Sequence, residues 1–275
     1  MDDLGIVGLG LVFVMVLVSY RGMQDPAYFV RYAFEVGAIR HRRQYLRLLS
    51  SGFLHVGWWH LGFNVLTLWC FGGALETVVG MQNFLLLYFV SLVGGNLFSL
   101  WLHRHEPRYT AVGASGAISG LIFASIALFP GIEVGMLGIY LPGWLYGFLY
   151  VLLSAYGITV RRDTIGHDAH LGGGLVGLVT AVGVVPDILR LNYLTILAIV
   201  LPAAASLYLL IRRPTGRLLG NLFASGPHYQ TVDDRYHARK REDAAVLDEL
   251  LEKISHKGLE GLNRREKQQL EELSR

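Results

Sequence analysis

The sequence predicts an all-α, polytopic membrane helix bundle followed by a small soluble helical tail. Three observations predict it. Hydrophobic residues make up 53% of the 275 and charged residues only 16%. The apolar residues gather in long charge-free runs, with the charges between them, a segregation that a bilayer imposes and a soluble core does not. Beyond Arg212 the composition turns to dense charge with periodic leucines. The formal charge of +3 is too small to suggest nucleic acid, and arginines flanking apolar runs suit lipid headgroups. The single cysteine, Cys70, excludes an intrachain disulfide and a cysteine-based zinc cluster. Lying in an apolar run, it is expected to be a buried small hydrophobe.

The first run, residues 4–20, follows Asp2 and Asp3 where a signal peptide would carry basic residues, and no small-residue cleavage site follows it. It is expected to be a retained span. The connection to residue 51 holds Arg31, Arg40, Arg42, Arg43 and Arg47 among aromatics, a mixture suited to the membrane interface. Further spans are expected at residues 53–79, 84–103, 113–129, 142–156, 168–185 and 193–211, the fifth opening on Pro142, where a missing N–H costs least. Residues 1–211 thus form a membrane domain of seven spans and residues 212–235 a linker. Residues 236–275 form a charged helical hairpin. In that hairpin Leu247, Leu250, Leu251 and Ile254 share one face, and Gly258 breaks the helix. Asn263 and Glu266 open a second helix as a capping box, carrying Leu270 and Leu273. Its expected role is stability or docking of a protein partner.

Polar groups inside apolar runs are costly and mark candidate sites. Ser115 lies in Gly113-Ala114-Ser115-Gly116 at the start of the fourth span, where helix N–H groups lack partners and suit an oxyanion. Gly116 and Gly120 form a GxxxG face, and so do Gly173 and Gly177 beside His170 in the sixth span. Two such faces can bring a serine and a histidine together, and the histidine can take the hydroxyl proton. The plainer alternatives are a capping serine and a packing histidine. His60 and Asn64, four apart, share a helix face and both donate hydrogen bonds, as oxyanion donors or as an interhelical clamp. His55, off that face, reads as structural. His55, His60, His167 and His170 are the candidate metal ligands, but no carboxylate joins His60 at ligand spacing and HExxH is absent. No metal and no cofactor are expected.

These motifs, in this order, resemble the rhomboid family of intramembrane serine proteases. The resemblance covers roughly residues 47–177 and includes Phe53-Leu54-His55, His60-Leu61-Gly62-Phe63-Asn64, Phe71-Gly72-Gly73-Ala74-Leu75-Glu76, Gly113-Ala114-Ser115-Gly116 and Ala169-His170-Leu171-Gly172-Gly173. It implies a six-helix core plus a seventh helix, with Ser115 as nucleophile and His170 as general base. His60, Asn64 and the Ser115 N–H would form the oxyanion hole. Arg47 would shape the first loop, and Gly113 matches the glycine ahead of the nucleophile. Many members stack an aromatic, one turn after the serine, on the histidine; here that place is Ser119. Asp168 faces away from His170 by helical geometry and is left out of the site. The implied reaction is hydrolysis of peptide bonds in or near transmembrane segments of other membrane proteins, in a multi-pass protein of the bacterial inner membrane. The alternatives are a non-proteolytic rhomboid-like scaffold binding transmembrane clients and, with no inverted repeat in its favour, a transporter. The arginine distribution would put the first loop in the cytoplasm by the positive-inside rule, against the usual rhomboid orientation.

Overall fold

A computed structural model describes residues 4–136, 139–160 and 165–212, together with residues 250, 253–254, 262–263, 265–267 and 270 of the tail; the side chains of Met136, Ile139, Ile211 and Arg212 are not included. The helices run in order as α1 (Ile6–Gln24), α2 (Pro26–Tyr32), α3 (Val36–Arg42), α4 (Arg47–Ser50), α5 (Trp58–Leu102), α6 (Ser115–Leu128), α7 (Gly143–Val160), α8 (His167–Val184), α9 (Ile188–Leu191) and α10 (Tyr193–Arg212). Long apolar stretches become helices because a helix satisfies its own backbone groups where lipid offers no partner. Four of them, α1, α5, α7 and α10, are long and apolar enough to cross a membrane, and α6 is a shorter apolar helix. Large apolar side chains such as Phe13, Trp59, Leu153 and Val179 lie exposed on their outer faces, as a lipid-bathed multi-pass protein requires.

Helix α5 spans 45 residues, about 68 Å if straight, more than twice the roughly 30 Å hydrocarbon core. It is not straight. Gly80 takes φ 78° and ψ 160°, a conformation open to glycine, and breaks the helix there. A Cβ on Gly72 would lie 3.5 Å from the Phe84 ring, although twelve residues of straight helix span about 18 Å. The chain therefore folds back at Gly80.

Helix α8 packs against both α5 and α6, α7 against α10, and α1 against α5. The α6–α8 seam is closed by small residues. A Cβ on Gly173 would overlap the carbonyl of Gly116, and one on Gly177 the Cα of Gly120. Backbones this close gain dispersion contacts that larger side chains would prevent. Glu76 of α5 accepts hydrogen bonds from the N–H groups of Val7 (3.1 Å) and Gly8 (3.0 Å), capping α1 from a neighbouring helix.

Several details depart from the sequence reading. Residues 53–57 are a short 3-10 turn and extended chain rather than the start of a span. The arginine-rich first connection folds into α2, α3 and α4. Its strand β1 (Phe34–Glu35) pairs antiparallel with β2 (Thr110–Ala111), and a hairpin, β3 (Glu133–Met136) with β4 (Ile139–Pro142), joins α6 to α7. The β1–β2 pairing depends on a distant partner, and both pairings are too short to leave a periodicity. Cys70 is exposed, not buried, because in a bilayer an apolar run includes the lipid-facing side.

The tail forms a separate compact unit. Within it Glu266 N–H donates to Asn263 Oδ1 (2.9 Å) and Asn263 N–H to Glu266 Oε2 (2.8 Å), a reciprocal capping box, and Lys253 pairs with Glu266 at 2.5 Å. Leu250 and Leu262 are buried. Leu247, Leu251, Gly258, Leu273 and the expected linker from residue 213 to 235 lie outside the described residues.

If the seam is as tight as these overlaps require, Gly177→Ala destabilises the protein by about 1–3 kcal/mol, as overpacking does. Gly183→Ala, in the last turn of α8 where a Cβ meets nothing within 4 Å, does not destabilise and gains up to about 1 kcal/mol from helix propensity. Thermal unfolding in detergent separates the two, and equal Tm values would refute the packing argument.

Candidate active site

Ser115 is the first residue of α6, where backbone N–H groups have no partner inside the helix. The turn before it is held from two sides. Gly113 N–H donates to the Ser51 carbonyl (2.9 Å). Ala114 N–H donates to Nε2 of His55 (3.3 Å), whose Nδ1 lies 2.9 Å from Ser19 Oγ, while that hydroxyl is 2.9 Å from the Phe53 carbonyl. With Nε2 accepting, Nδ1 carries the ring proton and donates to Ser19, which donates onward to Phe53. His55 is fully buried and ties α1 to the chain entering α6.

Gly113 has φ 127°, where side chains are strained. A Cβ there would stand 2.8 Å from Cε1 and 2.9 Å from Nε2 of His60, and 3.8 Å from Ser115 Oγ. The Nε2 edge of His60 and the Ser115 hydroxyl therefore converge beside this glycine. The His55 and His60 rings meet edge to face, with centroids 4.9 Å apart. Asn64, one turn on and buried, uses one amide N–H on the His60 carbonyl (2.8 Å).

His170 lies in the first turn of α8, its N–H bonded to the Gly166 carbonyl (3.0 Å). The preceding residue, Ala169, packs on α6: a Cβ on Gly116 would be 3.2 Å from the Ala169 carbonyl oxygen. The residue after Ser115 thus touches the residue before His170. Ser115, His170 and His60 are all partly exposed. The ring of His170 lies 5.9 Å from that of His167 and 6.1 Å from that of Tyr150.

Tyr150, on α7, was not picked out from the sequence. The buried Ser119 Oγ donates to the Ser115 carbonyl (2.7 Å), so at 2.6 Å from the Tyr150 hydroxyl it accepts. Phe123 packs edge-on against the same ring at 5.6 Å. The aromatic neighbour of His170 therefore comes from α7, linked by its hydroxyl to the position where α6 carries serine. A serine in place of the expected aromatic was a hint, but it did not name the helix that fills the space.

Asp168 sits on the other side of α8. It is buried and accepts from the Tyr109 hydroxyl (3.0 and 3.1 Å), with His103 Nε2 at 3.2 Å. The other nitrogen of His103 is 3.2 Å from Glu106, and its ring stacks on Tyr109 at 3.5 Å. This cluster ties the start of α8 to the end of α5 and went unseen because its members are far apart in sequence. Arg47, also buried, donates to the carbonyls of Val30 and Ala33 (2.7 Å each) and to Gln44 (2.7 Å), and so gathers the first connection. Burial pushes its pKa down and Glu35 opposes that; an arginine stays charged throughout. Among the described residues, no group of three or more His, Cys, Asp or Glu side chains could hold a metal ion.

Residues 42–187, just over half of the chain, match the Rhomboid domain model, and residues 230–275 match a family of unknown function, DUF6576. Rhomboid protein 1, mitochondrial, of Saccharomyces cerevisiae is 37% identical over 138 residues, covering 48% of this chain and 40% of the yeast protein. The Rhomboid protease GluP of Bacillus subtilis is 26% identical over 175 residues, covering 64% of this chain and 33% of GluP. The human presenilin-associated rhomboid-like protein, mitochondrial, is 30% identical over 141 residues, covering 48% of this chain and 36% of the human protein. The matches thus span less than half the length of these curated relatives. With the domain match lying across the helices that carry Ser115 and His170, the chain belongs to the rhomboid family.

Proposed function

We propose that this protein is an intramembrane serine endopeptidase that hydrolyses peptide bonds in or near transmembrane segments of other membrane proteins. The observation that carries the reading is the contact between Gly116 and Ala169, which sets the neighbours of Ser115 and His170 against one another. In this reading His170 takes the proton of Ser115 as the hydroxyl attacks the scissile carbonyl, then passes it to the leaving amine. The oxyanion faces His60 Nε2, the second N–H of Asn64 and the Ser115 N–H, donors fixed before the charge develops. Water, reaching the partly exposed side chains, releases the acyl-enzyme. Helical peptide bonds are shielded, so substrates unwind locally at the cleavage point.

Tyr150 acts here as a positioning residue. Its ring stands beside His170, and its hydroxyl is fixed through Ser119 to the carbonyl of Ser115, so the imidazole and the nucleophile share one scaffold. The bundle has seven passes in this reading, six in the core and α10 appended. A bacterial cell membrane fits the Bacillus relative, while the yeast and human relatives are named as mitochondrial.

Cleavage of a generic transmembrane substrate in detergent tests the proposal. Ser115→Ala abolishes cleavage, and His170→Ala lowers it at least ~10²-fold, the usual contribution of a general base. Undiminished cleavage by Ser115→Ala ends the serine-protease reading, and folded wild type without cleavage of any transmembrane substrate favours the scaffold.

Tyr150→Phe keeps the ring but loses the hydroxyl, and kcat falls about five-fold, equivalent to about 1 kcal/mol, with KM unchanged. Tyr150→Ala lowers kcat further, and adding Ser119→Tyr restores part of it. A fall in KM or folded yield alone, with kcat unmoved, would reduce Tyr150 to a packing residue.

A further inference from the structure

The pairing of β1 with β2 joins two arginine-bearing segments that lie far apart in sequence. Val36 N–H donates to the Tyr109 carbonyl (3.1 Å) and Gly37 N–H to the Pro107 carbonyl (2.8 Å), laying the start of α3 along the α5–α6 connection. Arg40 on α3 donates from its guanidinium to the carbonyl of Arg104. The last turn of α3 and the residue after it carry Arg40, Arg42 and Arg43, and the connection carries Arg104 and Arg108, all five exposed.

The carboxylates in these segments are already taken. Glu35 pairs with Arg42 (2.8 Å) and lies 3.8 Å from Arg47, and Glu106 faces His103. Among the described residues, Arg40, Arg43, Arg104 and Arg108 pair with no carboxylate. Folding thus lays the two segments that carry these four uncompensated cations side by side, with Arg40 touching Arg104, and like charges brought near one another repel unless an anion is shared between them.

The patch also sits at a defined depth. Helix α5 ends at Leu102, and the Arg104 guanidinium lies 5.4 Å over the ring of Trp101, an exposed residue of its last turn. Leu97, four residues earlier and so on the same face, is exposed as well. Tyr45 and Leu46, also exposed, flank Arg43. An apolar face therefore runs directly into the basic surface, matching the join between an acyl chain and its headgroup.

We propose that this junction is a binding site for anionic phospholipids, with the lipid phosphate held by Arg40, Arg43, Arg104 and Arg108 and an acyl chain lying along Leu97 and Trp101. The guanidinium fork fits phosphate oxygens two at a time. Occupancy braces the β1–β2 pairing. The same connection bears Tyr109, which holds Asp168 two residues before His170, so the bound lipid steadies the start of α8. The site does not depend on the proposed proteolysis.

The test uses the full chain in neutral detergent, following thermal unfolding by tryptophan fluorescence as phosphatidylglycerol, phosphatidylcholine or inorganic phosphate is added. Phosphatidylglycerol raises Tm by several degrees; the other two do not. In Arg40→Gln/Arg43→Gln/Arg104→Gln/Arg108→Gln that rise disappears. In Arg21→Gln/Arg31→Gln/Arg190→Gln, which removes exposed arginines elsewhere, it persists. Should the quadruple variant fail to fold, native mass spectrometry of Arg108→Gln, whose side chain makes no hydrogen bond among the described residues, shows at least one fewer retained phosphatidylglycerol than wild type. Equal stabilisation by phosphatidylcholine, a rise with inorganic phosphate alone, or unchanged lipid retention by Arg108→Gln overturns the proposal.

Discussion

The close backbone contact between α6 and α8 is the constraint on which the rest of the structure depends. Gly173 against Gly116 and Gly177 against Gly120 leave no room for a side chain. In lipid there is no hydrophobic drive to press helices together, so close van der Waals contact and hydrogen bonding must do it. That contact sets the depth and rotation of α8 relative to α6, and with them the positions of His170 and Ser115. Every other feature of the site corrects or secures a geometry that the seam has already chosen.

Three supports reach the seam from outside. His55 holds the turn before Ser115 through the Ala114 N–H, and is itself held by Ser19 of α1. Asp168 fixes the start of α8 to Tyr109 and His103. Tyr150 brings α7 to the same place through Ser119. Each is a buried or partly buried polar group with its partners satisfied, which in a low-dielectric interior favours one arrangement over its near alternatives. The supports arrive from α1, α5 and α7, so the site is a property of the bundle rather than of one motif.

How much of this was legible in the sequence depends on how local the signal was. The long helices were readable because a bilayer demands apolar runs of a certain length, and the GxxxG faces because small residues four apart announce a close approach. Ser115, His170, His60 and Asn64 stood out as polar residues in apolar surroundings. The break of α5 at Gly80 fell where a gap between two spans was expected. What could not be read was long-range. The β1–β2 pairing, the Asp168 cluster and the Tyr150–Ser119 bond each join residues tens of positions apart, and none leaves a periodicity. Cys70 was misjudged for a related reason, since hydropathy does not distinguish lipid contact from protein contact. Asn64 was expected on the face of His60, and its bond to its own helix could not be foreseen.

The central claim is that Ser115 is made nucleophilic by His170 across the α6–α8 seam. A fluorophosphonate probe reads this directly, because it labels an activated serine without needing a substrate. The account predicts a single adduct, on Ser115 by peptide mass spectrometry, forming at least ~10²-fold more slowly in His170→Ala. Labelling of another serine, or a rate on Ser115 that ignores the loss of His170, would contradict it.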